Sequence, residues 1–171
     1  MVTSLKHKFP SHDPDQAIID RHNELVDKND LVYHLGDFCF SNLDTCLSYL
    51  YRLNGKFVFL RGNHDYWLGK NRYKKAVAKA DGKIVEVVDY KEIKHEGSVI
   101  VLSHYPFRSW NKSFHGSIHF HGHCHGNVVE DESVQQKLRR VDMGVDCWSF
   151  SPTPLELAID IAEHRGTTND V

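Results

Sequence analysis

Four short apolar runs in this chain each end in a small polar turn that carries an Asp, an Asn or a His. "LVYHL" (31–35) runs into Gly36-Asp37, "KFVFL" (56–60) into Arg61-Gly62-Asn63-His64-Asp65, "SVIVLS" (98–103) into His104, and "SIHFH" (117–121) into Gly122-His123-Cys124-His125. Runs of this length, rich in β-branched and aromatic residues and bounded by turn residues, read as buried strands. Strands that repeatedly stop in chemically capable turns predict a sheet whose loops gather at one edge, where α/β proteins take their ligands.

The segments between these runs carry helical spacing. Asp13 as N-cap, Pro14 at the first helical position, and Ile18, Ile19, His22, Leu25 and Val26 at helical spacing predict a first helix of about four turns. Ser41 is placed to cap a second helix, whose Leu43, Cys46, Leu47 and Leu50 share a face and which ends at Asn54-Gly55. A basic helix follows near 69–80 and another closes the chain near 154–164. Between them "KIVEVVDY", "KEIKH" and "SVIVLSH" are separated by very short connections, with Glu96-Gly97 as a hairpin turn. The fold class is α/β, and 171 residues with 40% hydrophobic content suffice for one domain over 1–171.

Charge and cysteine usage narrow the function classes. A net charge of −2 and a pI near 6.7 supply no broad basic field, so sequence-independent nucleic-acid binding is not the first expectation, although nucleic acid is left open. No stretch approaches the roughly 20 apolar residues of a membrane span, and Met1–Ser11 lacks the apolar run of a secretory signal. Cys39, Cys46, Cys124 and Cys147 form no C-x-x-C pair and read as free thiols in a reducing, cytoplasmic setting.

The polar turns have a common chemistry. A carboxylate such as Asp37 offers two oxygens to divalent cations, neutral imidazoles suit Zn, Fe, Mn, Ni or Co, and a carboxamide oxygen suits hard ions. A mixed Asp, Asn and His set describes a hydrolytic metal centre better than a Cys-rich structural zinc. Two ions about 3.5–4 Å apart can clamp a phosphoryl group and lower the pKa of a bound water. A zinc nucleobase deaminase is disfavoured, because the H-x-E and P-C-x-x-C pair that its chemistry uses is missing.

The remaining members of the chain's thirteen histidines have blander readings. His34 reads as a packed residue or one supporting a ligand. His119 and His121 read as buried polar groups with partners, and His22, His95, His115 and His164 as surface residues. Cys124 is a small spacer, the basic helix a solvated face, and Tyr105, Phe107 and Trp110 core or pocket wall.

"GD" at 36–37, "GNHD" at 62–65, the isolated His104 and "GHCH" at 122–125 resemble, in that order, the motifs of the calcineurin-like metallophosphoesterases. "VYHLGDF" (32–38), "HYP" (104–106) and "MGVDCW" (143–148) are similar to stretches of the small bacterial and phage-type members. The resemblance implies a four-layer α/β/β/α sandwich. It implies a hydrolase acting on phosphomonoesters or phosphodiesters with divalent ions (Mn, Fe, Ni or Zn), two in the family. The substrate it implies is a small phosphate ester, a nucleotide among the candidates. By the same resemblance Asp37 bridges both metals, Asn63, His104 and His123 complete the second metal site, and His125 belongs to the first. His64, oriented by Asp65, corresponds to the catalytic histidine that stabilises the departing oxygen.

One family motif, Asp-x-His at the end of a first strand, has no counterpart. "MVTSLKHKFPSHDPDQ" offers His7, His12 and Asp13 but no apolar strand ending in that pattern. The expectation is an N-terminally truncated member with its first strand missing, close to one tight metal instead of two, low activity, and self-association into a homo-oligomer through unpaired strand edges. The alternative reading is a weakly active or inactive metal-binding remnant of the same fold.

Overall fold

The first two apolar runs form β1 (Leu31–His34) and β2 (Lys56–Leu60), which pair in parallel with β3 (Ile84–Val88) in the order β1-β2-β3. The structure, a computed structural model, describes residues 13–128 and 138–165. Helix α2 (Leu43–Arg52) makes the crossover from β1 to β2, and α3 (Tyr73–Lys79) the crossover from β2 to β3. A second sheet runs β4-β5-β6-β7, from β4 (Tyr90–His95) through β5 (Ser98–Ser103) and β6 (Ile118–His121) to β7 (Arg139–Asp142). The β4–β5 hairpin is antiparallel, and the other two pairings are parallel. Its turn is Glu96-Gly97, both at positive φ (47° and 86°), as the sequence predicts.

Period-two alternation along β2 divides the interior. Phe57 and Phe59 face outward onto Ile19 of α1 (Pro14–Leu25), onto Cys46, Leu47 and Leu50 of α2, and onto Trp67, Leu68 and Ala76. Val58 and Leu60 face the other way, onto Ile100, Leu102, Ile118, Phe120 and Val141 of the second sheet. Helix α4 (Leu155–Arg165) adds Ala158 and Ala162 to this inner cluster and crosses the second sheet, with Glu156 4.0 Å from His95 on β4 and Glu163 3.3 Å from Arg139 on β7. The fold is two sheets flanked by helices, the architecture of the metallophosphoesterase type. On the far face of the second sheet Val99 and Val101 pack on Trp110, Phe107 and Leu138. Among the described residues β1 is paired on one side only. No helix among them is long and apolar enough to cross a membrane.

Local departures from the sequence reading have local causes. The cap of α2 is Asn42, whose side chain accepts the Thr45 N–H at 3.0 Å, and not Ser41 one residue earlier. The basic helix is shorter than expected because Tyr66–Leu68 form a 3₁₀ turn and Gly69 intervenes, so regular helix begins at Tyr73. His22, expected at the surface, is buried. It stacks on Phe57 and hydrogen-bonds the Asn54 carbonyl at 3.0 Å, while Leu25, expected to be buried, is 55% exposed. His7 and His12 lie outside the described residues.

His119 shows what a buried imidazole needs here. It is fully buried between Phe107 and Trp110, donates from Nδ1 to the Val101 carbonyl at 3.1 Å, and accepts the Phe107 N–H on Nε2 at 3.1 Å. Both ring nitrogens are satisfied only in the neutral form, and burial pushes the pKa down to about 4. Because the folded value lies below the unfolded value of about 6.5, the contribution to stability is complete above pH 6.5. It falls away between pH 6.5 and 4, by about 3 kcal/mol in full. Urea midpoints should therefore drop across that window. His119→Gln, which can serve both partners without titrating, should reduce the pH slope by close to one proton.

Candidate metal centre

The site begins at the C-terminal ends of β1 and β2. Gly36 and Gly62 let these two turns touch. A Cβ on Gly36 (φ 94°) would collide with His104 Nδ1 and lie 2.7 Å from the Gly62 nitrogen, and one on Gly62 would collide with Asp37 Oδ1. The backbone is left-handed at three of the expected ligands, Asp37 (φ 58°), His123 (φ 69°) and His125 (φ 51°). Such non-glycine residues cost free energy and gather where function over-determines the chain.

Asp65 fixes the two turns to each other. Its carboxylate, 3% exposed, accepts the N–H groups of Asp37 (2.8 Å), Gly62 (2.9 Å) and Phe38 (2.9 Å) and the indole N–H of Trp67 (3.2 Å). The sequence reading gives Asp65 the task of orienting the His64 ring. Here all four of its hydrogen-bond donors belong to the loop frame and the Trp67 indole, and it is the exposed ring of Phe40 that packs on His64, centroid to centroid at 4.4 Å. Behind this frame Arg61 grips Asp89 with two parallel bonds of 2.7 and 2.6 Å, which holds the Asp89 carboxyl below its ordinary pKa.

The donor set converges on lone pairs. Asp37 Oδ1 accepts the His64 N–H at 2.8 Å, which turns Oδ2 toward His104 Nε2 at 3.5 Å. His104, 2% exposed, donates from Nδ1 to the Leu35 carbonyl at 2.8 Å, so a neutral ring presents a bare lone pair at Nε2. That lone pair faces Asn63 Oδ1 at 2.9 Å and the Asp37 oxygen. A cation lying among these atoms reconciles them, as does a hydrogen on His104 Nε2 shared with Asn63 Oδ1 and the Asp37 carboxylate. His123 stacks edge-on against His104 at 5.0 Å, and one ligand atom each from Asp37, His104 and His123 lies within 4.8 Å of the others. Among the described residues no other group of three or more His, Cys, Asp or Glu side chains converges in this way. The chemistry of these donors fits a divalent ion of the Mn, Fe, Ni or Zn kind.

His125 stands outside that group. Its Nδ1 donates to Asp146 Oδ2 at 2.7 Å, which leaves Nε2 as the nitrogen a ligand could take, an arrangement of the kind common behind metal-binding histidines. Asp142, at the end of β7, accepts the Gly126 N–H and the Gly144 N–H, both at 2.9 Å, and so pins the turn that carries His123 and His125. Neither aspartate was among the sequence candidates. Asp146 lies inside "MGVDCW", a stretch already similar to family members, whereas nothing local in the sequence marks Asp142. His34 packs against Phe38 and Phe59 and is neutral, its pKa pushed down to about 4 by burial.

Comparisons with known proteins give the family and the fold. Residues 9–161 match the family model of the calcineurin-like phosphoesterase superfamily domain. An uncharacterised protein of Methanocaldococcus jannaschii is 28% identical over 151 residues, covering 86% of this chain and 74% of its own length. A crystal structure of a protein of unknown function from Aquifex aeolicus superposes with a TM-score of 0.59 at 22% identity, over 87% of both chains, and shares the fold.

The Asp65 frame is open to test. Asp65→Asn puts an NH₂ against N–H groups that now have an acceptor, and leaving buried donors unmet costs about 1–3 kcal/mol each. The variant should lose about 3 kcal/mol or more in denaturant unfolding, and its calorimetric Mn²⁺ affinity should fall with it. Unchanged metal affinity would remove Asp65 from the support of the site.

Proposed function

Because the chain belongs to the calcineurin-like phosphoesterase superfamily, we propose that it is a divalent-metal-dependent phosphoesterase hydrolysing a small phosphomonoester or phosphodiester. The observation that carries this reading is the convergence of acceptor atoms from Asp37, Asn63 and His104 beside His123, an arrangement that a cation reconciles. A divalent cation there supplies charge for a phosphoryl oxygen and lowers the pKa of water. The four side chains would hold and orient it, and the His64 N–H keeps Asp37 Oδ2 turned toward His104. The His64 ring, half-buried at the mouth and packed on Phe40, donates a proton to the departing oxygen. His125, with Nδ1 held by Asp146, offers Nε2 to a second, more weakly bound ion or to the phosphate. Because His125 stands apart from the converging group, the 171-residue chain should hold close to one tight metal. The four free thiols fit a reducing compartment such as the cytoplasm.

Metal content per chain, with hydrolysis of bis-p-nitrophenyl phosphate and p-nitrophenyl phosphate in Mn²⁺, tests this directly. His64→Ala should cut turnover by about 10²–10⁴ with metal content nearly unchanged, as expected for a general acid. Asp37→Asn should instead lose the metal. Equal metal loss in both variants would move His64 into the coordination shell. A metal-loaded chain inactive on both esters would leave a binding remnant of the fold.

A further inference from the structure

Six large aromatic side chains among the described residues are strongly exposed: Phe40, Tyr51, Tyr66, Tyr90, Tyr105 and Phe114. Three of them lie in ring contact with histidines of the site. Phe40, 49% exposed, packs on His64 at 4.4 Å with the planes tilted by 37°. Tyr66, 65% exposed, meets the same ring edge-on at 6.4 Å. Tyr105 contacts His104 and His123 at 4.8 and 4.7 Å. Single exposed apolar residues are ordinary, but two in ring contact with one proposed proton donor are a surface of a particular kind.

The fold does not need these rings for its core. The residue pattern Asp37-Phe38-Cys39-Phe40 sends Phe38 into the outer cluster at 3% exposure and leaves Phe40 half in water two positions later. Asp65-Tyr66-Trp67 repeats this, with Trp67 buried at 2% and Tyr66 outside. The turn before Phe40 is tied at the Phe38 N–H, and the residue after Tyr66 at its indole, to the same Asp65 carboxylate, which limits how far either ring moves from His64. A rigid, exposed aromatic face is what a flat ring stacks on, and such stacking tolerates any base because every base has a π-face.

We infer that Phe40 and Tyr66 form two walls of a subsite on the leaving-group side of the centre, one ring meeting a flat ligand face-on and the other at an angle, and that the substrate's departing alcohol carries a flat aromatic ring, as a nucleoside does. This rests on the phosphoesterase reading, since it is His64 as proton donor that makes its side the leaving-group side. The phosphate would lie at the cation donors and the base against Phe40 and Tyr66. These two residues are then specificity determinants.

The test compares adenosine 5′-phosphate with ribose 5-phosphate, each as the free phosphate and as its methyl ester, on the Mn²⁺-loaded protein. The leaving hydroxyl is the same and only the base differs. Binding by calorimetry and kcat/KM should both favour the adenosine compounds by about tenfold or more. Phe40→Leu and Tyr66→Leu should each pull that ratio toward one while metal affinity stays unchanged. Equal affinities in the parent protein, a ratio untouched by both substitutions, or an equal loss on both sugars in Phe40→Leu would overturn the subsite. In the last case Phe40 serves only to brace His64. Base-dependent binding that disappears in the variants, without hydrolysis of any compound, would retain the subsite and reject the phosphoesterase reading. Hydrolysis indifferent to the base would do the reverse.

Discussion

The structure of the site depends on one buried carboxylate. Asp65 takes four N–H donors, three from the backbone of the turns after β1 and β2 and one from Trp67 in the outer core. A buried carboxylate is tolerable only when it is fully hydrogen-bonded, and here the donors that satisfy it are themselves turn groups that no strand or helix would pair. Each side of the arrangement resolves the other's deficit. The same bonds draw Gly36 and Gly62 so close that no side chain fits between them.

Left-handed backbone and crowded acceptor atoms meet where chemistry is proposed. Asp37, His123 and His125 hold left-handed backbone, and the acceptors of Asp37, Asn63 and His104 point at one another. The surrounding bonds set these costs in place: the His64 N–H on Asp37, the Leu35 carbonyl on His104, and Asp142 under the 122–126 turn. Sites arranged in advance in this way need little reorganisation when a charged ligand arrives.

Much of this was legible in the sequence because it rests on local chemistry. Apolar runs ending in glycine and ligand-type residues located the strands and the turns, and Asp13-Pro14 and Glu96-Gly97 marked a helix start and a hairpin. The failures were tertiary. Asp65 was read as a partner for its sequence neighbour, whereas its partners come from 27 and 28 residues away as well as nearby. Asp142 could not be found, since a capping carboxylate at a strand end looks like any other aspartate until the turn it holds is placed beside it. His22 was misassigned because a helix face shows which residues turn inward only once Phe57 supplies a ring to stack on. Ser41 and Asn42 are both good caps, and one residue of backbone geometry decides between them.

The donors of the centre come from both sheets. Asp37 and Asn63 follow strands of the first sheet, and His104 and His123 follow strands of the second. The first sheet can form from neighbouring βαβ units, but it carries only half of the constellation. No partly folded chain with undocked sheets presents the complete set, so the site exists only after the last and least local step of folding. A cation that binds the complete set binds the native state alone, and by mass action its concentration becomes a term in the equilibrium between docked and separated sheets.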